Sequence, residues 1–345
     1  YVVFNQHGFR DKERSLLKPT NTTRIAVLGD SFVQAREVTP DETFTIIAEQ
    51  ELNNCTVKKG QHFEILNFGV GAYNTAAELQ LLRKRVWEFA PDVVVLAFFV
   101  GNDIQGNHPE MDYYKDISGI GIPLFSTEGG GLQIVRPYLN DPVFNKRLES
   151  SLWPIMLTLI NKSAFLQFMN YSRHNFRKLL DNFISGWKVD SNSTPSFSPP
   201  AKVAGHWIAD GTNDAMFSPK NTLWKEAWEL TEAGISTMAS EVNEHQSDFW
   251  LMLIPHPPQV HWKDNDAPPL YPQKRLALLA ERIDVSLIDL YPDFRERFLR
   301  DNEYLFGLVP EQNGDGHWNP GGHRLAASVL SQRLCKALGG LIRGN

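Results

Sequence analysis

Short apolar runs, each closed by a glycine, a proline or an acidic residue, punctuate this chain. Arg24 to Leu28 reads Arg-Ile-Ala-Val-Leu and ends in Gly29-Asp30-Ser31-Phe32. Phe63 to Phe68, Val93 to Val100, Phe249 to Ile254 and Ser286 to Leu290 have the same character. Val93 to Val100 is apolar throughout, as expected of a strand covered on both faces. The intervening segments switch to helical spacing. Thr43 to Leu52 predicts a helix. Ala76 to Phe89 predicts another, with Leu79, Leu82, Val86 and Phe89 facing the core, and Pro91-Asp92 ends it. Helices are also expected over Leu223 to Asn243, Pro272 to Arg282 and His323 to Leu338. Five strands alternating with helices predict an α/β protein built on a parallel sheet.

Two regions stand outside this alternation. Residues 1–23 open strand-like and turn polar, as expected of an N-terminal extension lying across the domain. Residues 104–222 form a long insertion, rich in Gly and Pro, with Glu128-Gly-Gly-Gly131 and the low-complexity stretch Asp190 to Pro200. Within it, Val143 to Phe183 has a helical pattern carrying Trp153, Met156, Leu159, Phe165, Phe168 and Phe176. These side chains either pack the insertion's own core or roof the functional face. The implied organisation is an extension (1–23), a main domain (24–103 and 223–345) and an insertion or cap (104–222).

The chemistry-bearing residues follow the strands. Gly29-Asp30-Ser31 follows the first, and Asn67-Phe-Gly-Val-Gly-Ala-Tyr-Asn74 the second. Gly101-Asn102-Asp103 follows the third. Asp315-Gly-His317-Trp-Asn-Pro-Gly-Gly-His323 precedes the last helix. In an open α/β sheet these segments converge at the carboxyl edge of the strands. Together they offer a hydroxyl nucleophile, a base, an acid and oxyanion donors.

That order of segments resembles the SGNH (GDSL) hydrolase superfamily over roughly residues 24–103 and 247–338. The resemblance implies a flavodoxin-like, three-layer α/β/α fold with a five-stranded parallel sheet, here carrying a large helical insertion. It implies Ser31 as nucleophile, His317 as base and Asp315 as the acid that orients it. The Ser31 and Ala72 N–H groups and the Asn102 amide would line the oxyanion hole. Ala72 replaces the family's glycine, which a negative φ would allow. Asp315 stands two residues before His317 rather than the family's usual three, as in the alginate-acetylation branch. A dyad helped by a backbone carbonyl is the alternative.

Gly71, His256 and Trp318 are further candidates for substrate contact. Asp103 and Asp30 read as structural turn and cap residues, and His323 as a maker of a local hydrogen bond. His256, His261, Asp264 and Asp266 match no metal-ligand spacing, and no metal or organic cofactor is expected. The implied activity is hydrolysis of O-acyl esters, O-acetyl groups on a polysaccharide foremost. Acyl transfer to a glycan and non-catalytic carbohydrate binding are the alternatives.

Charge and cysteine content refine this picture. The net charge of −6 argues against a nucleic-acid partner. No apolar stretch is long enough to span a bilayer, so any signal peptide or membrane anchor would lie outside this sequence. Cys55 and Cys335, the two cysteines, are either free thiols or a bridge between the ends of the first and last helices, which a doubly wound sheet can make neighbours. A bridge would favour an extracytoplasmic location.

Overall fold

The computed structural model describes residues 2–55, 60–111, 121–140, 142–150, 152–169 except 164 and 168, 202–203, 206–207, 212–262, 267–308 and 314–341. The strands β1 (Thr22–Gly29), β2 (His62–Gly69), β3 (Val93–Phe99), β4 (Asp248–Ile254) and β5 (Ser286–Asp289) form one parallel sheet, in the order β2-β1-β3-β4-β5. Ile25 of β1 is in register with Ile65 of β2 and Val93 of β3. The helices are α1 (Ser31–Gln34), α2 (Phe44–Asn54), α3 (Thr75–Lys84), α4 (Asp103–Gly106), α5 (Pro142–Leu148), α6 (Leu152–Lys162), α7 (Thr222–Glu244), α8 (Pro257–Val260), α9 (Tyr271–Arg282), α10 (Tyr291–Asp301) and α11 (Pro320–Leu341).

Side chains alternate across a strand, so each strand feeds two cores. Ala26, Leu28, Val94 and Leu96 pack on one side with α3, α7 and α9. Ile25, Val27, Val93 and Val95 pack on the other with α2, α10 and α11. This is the expected three-layer α/β/α sandwich. The strand order reverses direction between β1 and β3, so the loops after these two strands flank a switch point, where open α/β sheets bind their ligands. Ser31 follows one of them and Asn102 the other.

Three expectations need correction or completion. The strand-like opening does not form a strand; residues 2–21 run as turns and irregular chain. The predicted helix from Ala76 to Phe89 stops at Lys84. Arg85 leaves helical geometry (φ −136°), and a 3₁₀ turn, Val86–Phe89, completes the buried stripe. Helix α10 is an additional element. Its amphipathic sequence buries Phe294 and Phe298 behind a proline in the first turn.

Buried arginines hold the N-terminal segment to the sheet. Arg24 on β1 is fully buried. Its guanidinium pairs with Glu64 at 2.7 Å and donates to the carbonyls of Ser15, Leu16 and Phe89 at 2.7–2.9 Å. Arg14 pairs with Asp11 and Glu49 at 2.9 and 2.8 Å and donates to the Ile65 carbonyl at 2.7 Å. A buried guanidinium is tolerated only when its donors are met this fully.

Within the insertion, the hairpin of Leu124–Ser126 and Gln133–Val135 lays fully buried Phe125 against Gly234 of α7, where any side chain would strike the ring. Met156, Leu159 and Phe165 are exposed. Phe168, Phe176 and the Asp190 to Pro200 stretch lie outside the described residues.

Helices α2 and α11 lie side by side in the second core, and Cys55 and Cys335 are joined by a disulfide with a Cα–Cα distance of 6.2 Å. The bridge spans 280 residues of sequence. By the chain-entropy relation a loop of that length is worth about 5–6 kcal/mol, an upper figure because engineered bridges often deliver less. Reduction, or Cys55→Ser with Cys335→Ser, is expected to lower the urea midpoint without changing the far-UV CD spectrum. An unchanged midpoint would contradict this.

Candidate active site

Ser31 opens α1 directly after β1. Asp30 caps this single turn by accepting the Phe32 N–H at 2.9 Å. Close backbone approach holds the turn in place. A side chain on Gly69, at the end of β2, would run into the Val33–Gln34 backbone. Asn67 donates to the Val33 carbonyl at 2.7 Å and accepts the Gly69 N–H at 2.9 Å. The Gln34 side chain accepts the Gly71 N–H at 3.1 Å, so that N–H is engaged by the protein itself.

His317 Nε2 lies 2.7 Å from Ser31 Oγ, although 286 residues separate them. The other ring nitrogen, Nδ1, lies 3.0 Å from a carboxylate oxygen of Glu37. A carboxylate only accepts, so Nδ1 carries the proton, and Nε2 presents its lone pair to the Ser31 hydroxyl. Burial disfavours the charged ring. The bond and charge of Glu37, with Asp30 behind, outweigh it and hold the His317 pKa above its ordinary value. For Glu37, burial raises the pKa, but the bond to His317 prevails and lowers it.

The carboxylate that meets His317 is therefore that of Glu37, where Asp315 was expected. Gly314 and Gly316 flank Asp315 with φ of +88° and +79°. They turn its exposed carboxylate back onto the Gly316 N–H at 2.8 Å. Glu37 sits in the loop after α1, where Ala35 in the left-handed region (φ +52°) reverses the chain. Arg10 of the N-terminal segment straps that loop, donating to the carbonyls of Gln34 (3.3 Å) and Val38. The sequence offers one faint signal for Glu37: it is the first acidic residue after Ser31.

Ala72 departs from the expected negative φ. It takes +69°, the left-handed region where glycine carries no penalty. The outcome is backbone strain rather than a lost donor, since the N–H remains. The Asn102 side chain helps lower the Asp30 pKa against the rise that burial causes, so Asn102 is felt at the carboxyl that caps the Ser31 turn.

Trp318 is 0% exposed, packed among Phe32, Phe44 and Phe294 and bridged through its backbone to Phe306. It is a core residue and cannot meet substrate. His256 is half-buried and stacked on Phe99, which packs on Phe32 beneath His317. Burial lowers its pKa to about 4, so it stays neutral. His323 accepts the Phe44 N–H at 3.4 Å, and Asp103 accepts the Phe99 N–H at 2.8 Å, both structural as expected. Asp264 and Asp266 lie outside the described residues. Among the described residues, no group of His, Cys, Asp and Glu has metal-binding geometry.

Asp30, which caps the Ser31 turn, is one of three fully buried carboxyl groups that feel one another's charge, with Glu78 and Asp103. Burial, then mutual repulsion, raises Glu78 and Asp103 well above ordinary carboxyl values, and burial raises Asp30 to about 6. The unfolded chain gives up these protons near ordinary carboxyl pKa values, whereas the folded chain keeps them. Their contribution to stability is therefore complete below those values and declines as pH rises, by up to about 1.4 kcal/mol per pH unit for each group. Glu78→Gln is expected to flatten the fall in urea midpoint between about pH 5 and pH 7. A slope equal to wild type would show that Glu78 ionises normally.

No family model matches this sequence, and no curated protein does. Solved structures do. An acetyl xylan esterase is 14% identical, with 90% of this chain and 99% of that chain covered and a TM-score of 0.43. An acetylxylan esterase of Geobacillus stearothermophilus is 11% identical, covering 90% and 94%, with a TM-score of 0.44. An α/β hydrolase enzyme from the metagenome of Lake Arreo, Spain, is 10% identical, covering 93% and 96%, with a TM-score of 0.45.

Proposed function

We propose that this chain is a serine ester hydrolase of the SGNH type, acting on O-acyl groups through Ser31, His317 and Glu37. The observation that carries this reading is the continuous relay from Ser31 Oγ through His317 to Glu37. Ser31 and Glu37, from the turn and loop after β1, meet His317 from 286 residues beyond Ser31, with the polarity that acyl transfer needs.

In the proposed reaction the Ser31 oxygen attacks the ester carbonyl carbon while its proton passes to His317 Nε2. Glu37 stabilises the imidazolium so formed. The carbonyl oxygen, now negative, is met by N–H groups at Ser31 and Ala72 and by the Asn102 amide. His317 returns the proton to the leaving alcohol, and the C–O bond breaks to give an acyl-Ser31 ester. Water, deprotonated by His317, then attacks that ester, releasing the carboxylic acid and restoring the hydroxyl. Every bond change is accounted for without a cofactor.

O-acetyl groups on a polysaccharide are the proposed substrate class, with half-buried Gly71 and His256 as proposed contacts. The disulfide supports an extracytoplasmic setting, since cytosolic chains rarely keep one. With p-nitrophenyl acetate, a burst of p-nitrophenol and an acetylated Ser31 peptide by mass spectrometry are expected. Neither appearing would leave a binding module on this fold. Acetylated product on an added glycan would make the enzyme a transferase.

A further inference from the structure

Consecutive residues of the N-terminal segment, Phe9, Arg10 and Asp11, grip different parts of the molecule. The Phe9 ring is buried in the first core, edge-on to Phe68 at 4.8 Å. The Asp11 carboxylate accepts the Asn67 N–H of β2 at 3.2 Å and pairs with Arg14. Between them buried Arg10 reaches the loop after α1, where its guanidinium donates to the carbonyls of Gln34 and Val38, one on either side of Glu37. The segment around these residues is tightly built. Buried Asn5 accepts the N–H groups of His7 and Phe9 at 3.0 and 3.1 Å and donates to the Lys12 carbonyl at 3.2 Å. Arg10 is thereby fixed relative to β2, whose Asn67 also holds the Val33 carbonyl of the Ser31 turn.

Glu37 depends on such a hold. One of its oxygens lies 3.0 Å from His317 Nδ1, and the other, Oε2, is buried without a hydrogen-bond partner. With that oxygen unheld, the direction of the carboxylate follows the course of its loop. The loop runs from α1, closed by the Ala35 N–H on the Ser31 carbonyl at 2.8 Å, to the 3₁₀ turn Pro40–Glu42. Across this stretch the Arg10 fork bridges the two carbonyls, a geometry that a planar guanidinium suits and an ammonium does not. Phe4 adds a contact from the same segment, its ring centroid 5.9 Å from the Arg36 guanidinium carbon.

We propose that Arg10 is a positioning residue for ester hydrolysis, holding the Glu37 loop so that the acid meets His317. This rests on the hydrolase reading. The N-terminal segment, which reads as a peripheral extension, is then part of the active site.

Kinetics of the whole chain with p-nitrophenyl acetate test it. Arg10→Met keeps the apolar stem and loses both donors. Misplacing a catalytic group by about 1 Å can cost about 100-fold, so kcat is expected to fall about 10- to 100-fold with KM within about twofold of wild type. The acid-side midpoint should move to lower pH, because His317 loses part of its contact with Glu37, while Asp30, the other charge that raises it, is untouched. In the Glu37→Gln background, on the pH plateau, Arg10→Met should cost less than about threefold, because the acid it positions is already gone. A general loosening of the fold would cost the same factor in both backgrounds and leave the midpoint in place; that result would overturn the inference. So would a folded Arg10→Met with wild-type kcat and midpoint. Should Arg10→Met fail to fold, Arg10→Lys keeps the charge but cannot bridge both carbonyls. A smaller loss with the same downward shift is expected of it, and wild-type values would count against Arg10. If the wild type forms no acyl-Ser31, the hydrolase reading falls and the inference with it; with acyl-Ser31 present, these variants bear on Arg10 alone.

Discussion

Ser31→Ala is expected to lower kcat for p-nitrophenyl acetate by about 10⁴-fold or more, since removing the nucleophile of a serine triad abolishes the acyl-enzyme route. The fold should survive. Ser31 is only half-buried, and the turn that carries it is held by Asp30, Asn67 and Gly69 rather than by its own hydroxyl. An unfolding free energy within about 0.5 kcal/mol of wild type is the corresponding stability expectation. His317→Ala should give a similar loss, and the double variant little more than either alone, because the two act as a unit. Turnover near wild type in Ser31→Ala would exclude the mechanism outright.

Glu37→Gln separates the two candidate acids. The amide can keep the shape of the contact but cannot stabilise the imidazolium, and in one orientation it favours the wrong tautomer. A loss of about 10³–10⁴-fold in kcat is expected by comparison with other triads. Asp315→Ala, whose carboxylate faces its own loop, should stay within about twofold of wild type. The pH profile gives a second readout. His317 must be neutral to accept the Ser31 proton, and its pKa lies above the ordinary histidine value of about 6.5. Activity should therefore fall on the acid side with a midpoint above that value. Without the Glu37 charge the residual activity of Glu37→Gln should show that midpoint displaced to lower pH. If Asp315→Ala is the crippled variant and Glu37→Gln is not, the acid assignment reverts.

The contrast between these two acids shows where sequence patterning reaches and where it stops. Strands β1, β3 and β4 were legible because each is a run of mostly apolar, buried residues, Ser31 because it stands at the end of one, and His317 because it stands in the glycine-rich segment before the last helix. Glu37 depends on something no spacing expresses. A left-handed Ala35 turns the loop, and Arg10, from a segment that read as a peripheral extension, straps it in place. Trp318 misled for a related reason. Beside the candidate base in a glycine-rich loop it suggested a surface contact, yet the backbone bridge to Phe306 draws it into the core. The helix α10 did carry its signals, a proline in the first turn and Phe294 and Phe298 four apart, but they follow the shortest strand of the sheet closely.

Ser31 and His317 stand 286 residues apart in sequence, and Cys55 and Cys335 join almost the same two stretches. During synthesis Ser31 therefore emerges well before His317. A nascent chain cut between the two carries the serine hydroxyl without its histidine partner. An oxidised Cys55–Cys335 bond is a chemical record that the two stretches have met.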